Sequence, residues 1–176
     1  MTLMPSVSSA ASWAEASDGE FSGAFASPSD IGFLALGSNV ISGTSTAGAT
    51  LVVLPNNAPH FPDQDVDVFS FSISPGQRLD SIVLSSFSYD VSEGHLGGAT
   101  GDGAFMAIEQ GAGITDPISA AALLGTALVG FLPGASQGDD VLAVLGGVPL
   151  GGIGLSGSLG PGQYTVWYQE GPTNTS

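Results

Sequence analysis

Turn-forming clusters interrupt this chain so often that no long helix fits between them, and short strands are what the intervals leave. Ser27-Pro28-Ser29-Asp30, Pro55-Asn56-Asn57, Ser74-Pro75-Gly76, Gly97-Gly98, Gly101-Asp102-Gly103, Pro133-Gly134, Gly151-Gly152 and Gly160-Pro161-Gly162 combine residues that preset or permit turn dihedrals. Between them lie β-branched and aromatic runs, Ile31 to Leu36, Thr50 to Leu54, Val66 to Ile73, Leu79 to Tyr89, Ala104 to Glu109, Val141 to Leu145 and Gln163 to Gln169, which read as strands. In Val68 to Ile73 the alternation predicts Phe69, Phe71 and Ile73 in the core with Val68, Ser70 and Ser72 in water. Residues Tyr164 to Gln169 carry an aromatic on both faces, so Trp167 is either a second-layer contact or exposed. Ile118 to Phe131 reads as a short helix or a strand pair, because a run of Ala and Leu is broken by Gly125 and Gly130. The Gly-rich stretch from Gly146 to Gly160 reads as a loop with one short strand. With no strand–helix alternation and no repeat, the expectation is an all-β domain, an antiparallel β-sandwich of jelly-roll type with room for one short helix.

Charge narrows the function classes. Sixteen acidic residues stand against one basic residue, Arg78, for a formal net charge of −15. Phosphate backbones and anionic membranes are held by Lys and Arg, so neither nucleic acid nor a membrane surface suits this chain as a partner. No run approaches the roughly twenty apolar residues of a membrane span. The absence of cysteine removes disulfides, thiolate metal sites and Cys nucleophiles. A length of 176 residues fits a single domain. The segment 1–16 reads as a flexible arm without an intact signal peptide, its Ser8-Ser9-Ala10-Ala11-Ser12 compatible with the remains of a cleavage site, and 17–176 reads as one β-sandwich.

The densest chemistry is Asp63-Gln64-Asp65-Val66-Asp67, ahead of the Phe-rich strand. Three carboxylates two residues apart can converge on a hard cation, and calcium takes six to eight oxygens. The EF-hand pattern fails, with Val68 where that loop needs Gly and Ser74 where it needs the bidentate acid. The alternative is a solvated turn whose Asp side chains cap backbone amides.

Asp63-x-Asp65-x-Asp67-x-Phe69-x-Phe71, then Pro75-Gly76-x-x-Leu79 and Gly160-Pro161-Gly162-x-Tyr164-Thr165-Val166, resemble the bacterial pre-peptidase C-terminal domain, a β-sandwich module of secreted proteins. The resemblance runs from Asp63 to Gln169 and implies calcium at Asp63, Asp65 and Asp67. Asp18-Gly19-Glu20-Phe21-Ser22-Gly23 and Leu36-Gly37-Ser38-Asn39 are similar to the start of related domains in secreted proteins that carry a PEP-CTERM sorting tail. Those relatives continue into a further strand, which implies either a longer natural chain or a sheet completed by another copy.

Catalytic signals are weak. His60 and His95 lack a helix-spaced partner, and Gly154-Leu155-Ser156-Gly157-Ser158 fails the nucleophile elbow. Asp139-Asp140 and Asp90 to Glu93 are open to a glycosidase reading only because acids are plentiful. Trp13, Trp167, Phe21 and Phe25 are candidates for a sugar-stacking platform, and strand aromatics are more often core. Arg78 is expected to pair with a neighbour such as Asp80 or to contact another chain. The sequence therefore points to a non-enzymatic, secreted structural or adhesive module at the cell surface or in a matrix. It is stabilised by Ca2+ at Asp63, Asp65 and Asp67, and it self-associates by strand exchange with the N-terminal run as donor. The alternative is a carbohydrate-binding accessory module of a secreted hydrolase that uses Trp167 and Trp13 on a polysaccharide.

Overall fold

The computed structural model describes residues 10–45, 52–53, 59–60, 65–86, 104–130 and 132–170. Its elements are β1 (Ser12–Ala14), α1 (Glu15–Asp18), β2 (Ser29–Phe33), β3 (Val40–Ser42), β4 (Val52–Val53), β5 (Pro59–His60), β6 (Asp67–Ile73), β7 (Ala104–Gln110), a 3-10 turn at Ala120–Ala122, β8 (Leu123–Val129), α2 (Val141–Gly146) and β9 (Gly162–Glu170). The class is all-β. A five-stranded sheet in the order β2-β6-β9-β7-β8 forms the body, beside the two-stranded pairs β1-β3 and β4-β5.

The sheet is mixed rather than purely antiparallel: β2 runs parallel to β6, and β1 runs parallel to β3. The bulge between Asp30 and Phe33 interrupts the β2 register, and it turns at Gly32, where φ is 85° and the Asp30 carboxylate accepts the Gly32 amide.

Both faces of the central strands are covered. Phe71 and Ile73 of β6, Met106 and Ile108 of β7, Ala127 and Val129 of β8, and Tyr164 and Val166 of β9 meet Val141, Leu142 and Leu145 of α2 in the main core. On the reverse face Val68, Ala107 and Leu123 pack with Ile114, and Phe25, Phe105 and Trp167 close over them. Val68 and Ser70, expected in water, are therefore fully buried, and Val68 packs there with Ile114 and Phe25. Buried Glu109 also lies there, its carboxylate accepting hydrogen bonds from the Thr115 amide at 3.1 Å and hydroxyl at 2.6 Å.

Among the described residues, α2 rather than a second large sheet packs over the main core. The run Val141 to Leu145, expected as a strand, is helical. Asp140 caps it by accepting the Leu142 amide at 3.1 Å, and the chain leaves through Gly147 and Pro149. Val141, Leu142 and Leu145 share one buried stripe at helical spacing. The expected strand from Leu79 makes only isolated bridges, Leu79 with Leu159 and Val83 with Asp140; its residues 87–89 lie outside the described set. The ambiguous stretch from Ile118 resolves into the 3-10 turn followed by β8. Of the Gly146 to Gly160 stretch, Gly146 ends α2 and the rest is loop, in which Leu159 alone bridges. No helix among the described residues is long and apolar enough to cross a membrane.

Of the N-terminal arm, the residues from Ala10 onward are described. They are used within the chain: β1 pairs with β3 in register Trp13 to Ile41, and Ala11 packs against the main core.

Candidate metal centre

The site grows from the short α1 turn. Asp18 accepts the Ala14 amide at 2.8 Å, Gly19 donates back to the Glu15 carbonyl at 3.1 Å, and with φ of 99° Gly19 reverses the chain. Glu20 follows, and Phe21 enters the core, where it stacks on Trp13 at 5.6 Å and packs tilted against Phe69 at 5.0 Å. The next residue, Ser22, bridges to Val68, with the Val68 amide donating to the Ser22 carbonyl at 2.8 Å. That antiparallel bridge ties the segment after α1 to the start of β6, and a Glu20 carboxylate oxygen lies within 4.8 Å of one from Asp67.

Glu15 completes the group. Its carboxylate accepts the Phe21 amide at 3.2 Å and the Thr44 amide at 2.6 Å. Gly43 sits against it so closely that a Cβ there would come within 2.7 Å of the Glu15 carboxyl carbon. Three segments, from α1, from the turn after it and from β6, thus deliver one carboxylate oxygen each from Glu15, Glu20 and Asp67 to within 4.8 Å of one another. Asp67 is buried, Glu15 half-buried and Glu20 exposed.

The electrostatics follow from this crowding. The neighbouring Glu15 carboxylate holds the Glu20 carboxyl above its ordinary value of 4.5; desolvation, a hydrogen bond shared with Glu15, and the charge of Asp65 push the same way. Arg78, the only Lys or Arg of the chain, lies beside Asp80, its Nε 2.7 Å from that carboxylate as the sequence suggested. All three donors are hard oxygens, the type that calcium or magnesium takes and that suits thiophilic metals poorly.

The expected Asp63, Asp65, Asp67 set is thus partly regrouped. Asp67 lies at the centre, Asp65 acts on Glu20 through its charge, and Asp63 lies outside the described residues. Glu15 and Glu20 are the members that sequence reading missed. No spacing rule joins them to Asp67 about fifty residues on; they meet it only in the folded chain, where Ser22 bridges to Val68 and the Phe21 and Thr44 amides hold the Glu15 carboxylate.

The other candidates are placed as follows. Trp167 lies between Phe25 at 4.8 Å and Phe105 at 4.6 Å, both edge-on, and its indole donates to Gln169 at 3.0 Å. Trp13 presses one face on Phe21, and its indole donates to the Gly19 carbonyl at 3.2 Å. Asp139 accepts the Ser136 amide at 2.9 Å, and Asp140 accepts the amides of Ile82 and Leu142, so this pair caps a turn and a helix. His95 and Asp90 to Glu93 lie outside the described residues, and of His60 only the backbone is described. Comparison with protein-family models, with curated proteins and with solved structures found no match for this chain.

Proposed function

We propose that this chain is a non-catalytic, extracellular structural module whose N-terminal turn is fastened to its sheet by a calcium ion at Glu15, Glu20 and Asp67. The observation that carries the reading is the meeting of three carboxylates from three segments. Carboxylates held this close repel one another, and a divalent cation turns the repulsion into a cross-link between α1 and β6. Asp65, which already acts on Glu20, adds to the negative field there. The chain's net charge of −15 suits a medium in which calcium and salt are abundant, and the lack of cysteine leaves the cation as the available staple.

The non-catalytic part of the reading is supported by the use of the described acids as caps. Asp18, Asp139 and Asp140 each accept backbone amides, and Glu109 is sealed under Thr115. Calorimetric titration of calcium into EDTA-stripped protein tests the site. One ion per chain is expected, with binding lost in Glu15→Gln and Asp67→Asn. Unchanged binding in both variants, or no binding to the parent, contradicts it.

A further inference from the structure

We infer that copies of this chain associate head to tail, with the apolar loop beside Arg78 on one sheet edge seated on the apolar patch beside Asp116 near the opposite edge. This rests on the structural-module reading and adds the surface through which such modules would join.

The first patch follows β2, an edge strand of the sheet among the described residues. Phe33 is 64% exposed, Leu36 79% and Val40 58%. The loop that displays them is fixed. Asn39 accepts the amides of Ala11 and Ala35 and donates to the carbonyls of Ala35 and Gly37. A loop already locked gives up little conformational entropy on docking. Leu36 and Arg78 line the same shallow cleft. The Arg78–Asp80 pair beside it is 70% and 64% exposed, so water competes with it and the guanidinium can engage a second carboxylate.

The second patch lies where β8 begins, at the other edge of the sheet among the described residues. Ile118 is 96% exposed, Ile153 66% and Leu150 45%. The Ile153 amide donates to the Leu123 carbonyl, and Gly151 lies against the Ala120 side chain, so the two segments form one surface. Asp116 stands beside it, exposed, its carboxylate accepting the Ile118 amide at 3.1 Å.

Strand directions put both patches at the same end of the sheet, because β8 starts opposite the end of β7, which runs parallel to β6. Four inter-strand spacings separate the edges, roughly 19 Å, too far for the patches to meet within one chain. Pairing like with like would set Arg78 against Arg78 or Asp116 against Asp116. Pairing unlike patches sets cation against anion, and each joint leaves one patch of each kind free, which propagates.

Sedimentation velocity in calcium, over a concentration series, tests this with Leu36→Glu to disable the first patch and Ile118→Glu to disable the second. Both sites are exposed, and unchanged melting curves will show that the variants fold. The parent is expected to form species larger than dimers, and each variant alone to remain monomeric. An equimolar mixture of the two variants, which retains one intact patch of each kind, should give dimers and nothing larger. Arg78→Asp should weaken association about tenfold, and Arg78→Asp with Asp116→Arg should restore it. A parent that stays monomeric throughout, or a variant mixture without dimers, overturns the inference. Retained calcium binding in that same parent would leave the metal reading standing, whereas loss of calcium binding with assembly intact would remove the metal reading alone.

Discussion

Gly125 of β8 lies directly under the Leu145 carbonyl of α2, so that a Cβ at position 125 would overlap the helix backbone. This contact sets how closely the helix approaches the sheet and hence how Val141, Leu142 and Leu145 reach the core. Gly125→Ala is expected to push α2 away and to cost about 3 kcal/mol, the upper range for overpacking in a filled interior. Urea unfolding monitored by circular dichroism checks it; a loss below about 1 kcal/mol would show that the helix moves freely.

Trp167 fills the reverse face between Phe25 and Phe105. Trp167→Ala should destabilise the fold by about 3 kcal/mol, as truncation of packed aromatics does. A variant of parental stability that loses retention on a glycan array would instead support a sugar platform at this residue.

The acidic group gives a pH dependence of known sign. The folded-state pKa of Glu20 is raised above 4.5, chiefly by the Glu15 charge, so the folded chain holds its proton to higher pH than the unfolded chain does. Its contribution to stability is then fully present below 4.5 and is lost as the pH rises through the elevated folded value. In EDTA, Glu20→Gln should therefore melt higher than the parent at neutral pH, and the difference should shrink on acidification. In calcium the order should reverse, because the substitution removes a ligand. Scanning calorimetry across pH in the two buffers checks both signs.

How much was legible in the sequence depends on the range of the interactions involved. Alternation and turn residues located β6, β7 and β9 within a residue or two, because period and punctuation are local signals. Val141 to Leu145 misled through its β-branched valines, although Asp140 before it and Gly147 and Pro149 after it carry start and stop signals of a helix. The burial of Val68 could not be read from alternation, since the residues packed on it, Phe25 and Ile114, are far away in sequence. The acidic site shows the same limit. Asp67 stood out through its spacing, whereas Glu15 and Glu20 join it only in the folded chain, where the Phe21 and Thr44 amides hold the Glu15 carboxylate.

The most direct test of the calcium-fastened turn is thermal unfolding of the parent and of Glu15→Gln/Asp67→Asn in calcium and in EDTA. At a free calcium concentration one hundred times the dissociation constant, a single site present only in the folded state adds about 2.7 kcal/mol. The parent should therefore melt clearly higher in calcium than in EDTA, and the double variant should melt at one temperature in both. Equal melting of the parent in the two buffers, or a calcium shift that survives in the double variant, would contradict a cation at Glu15, Glu20 and Asp67.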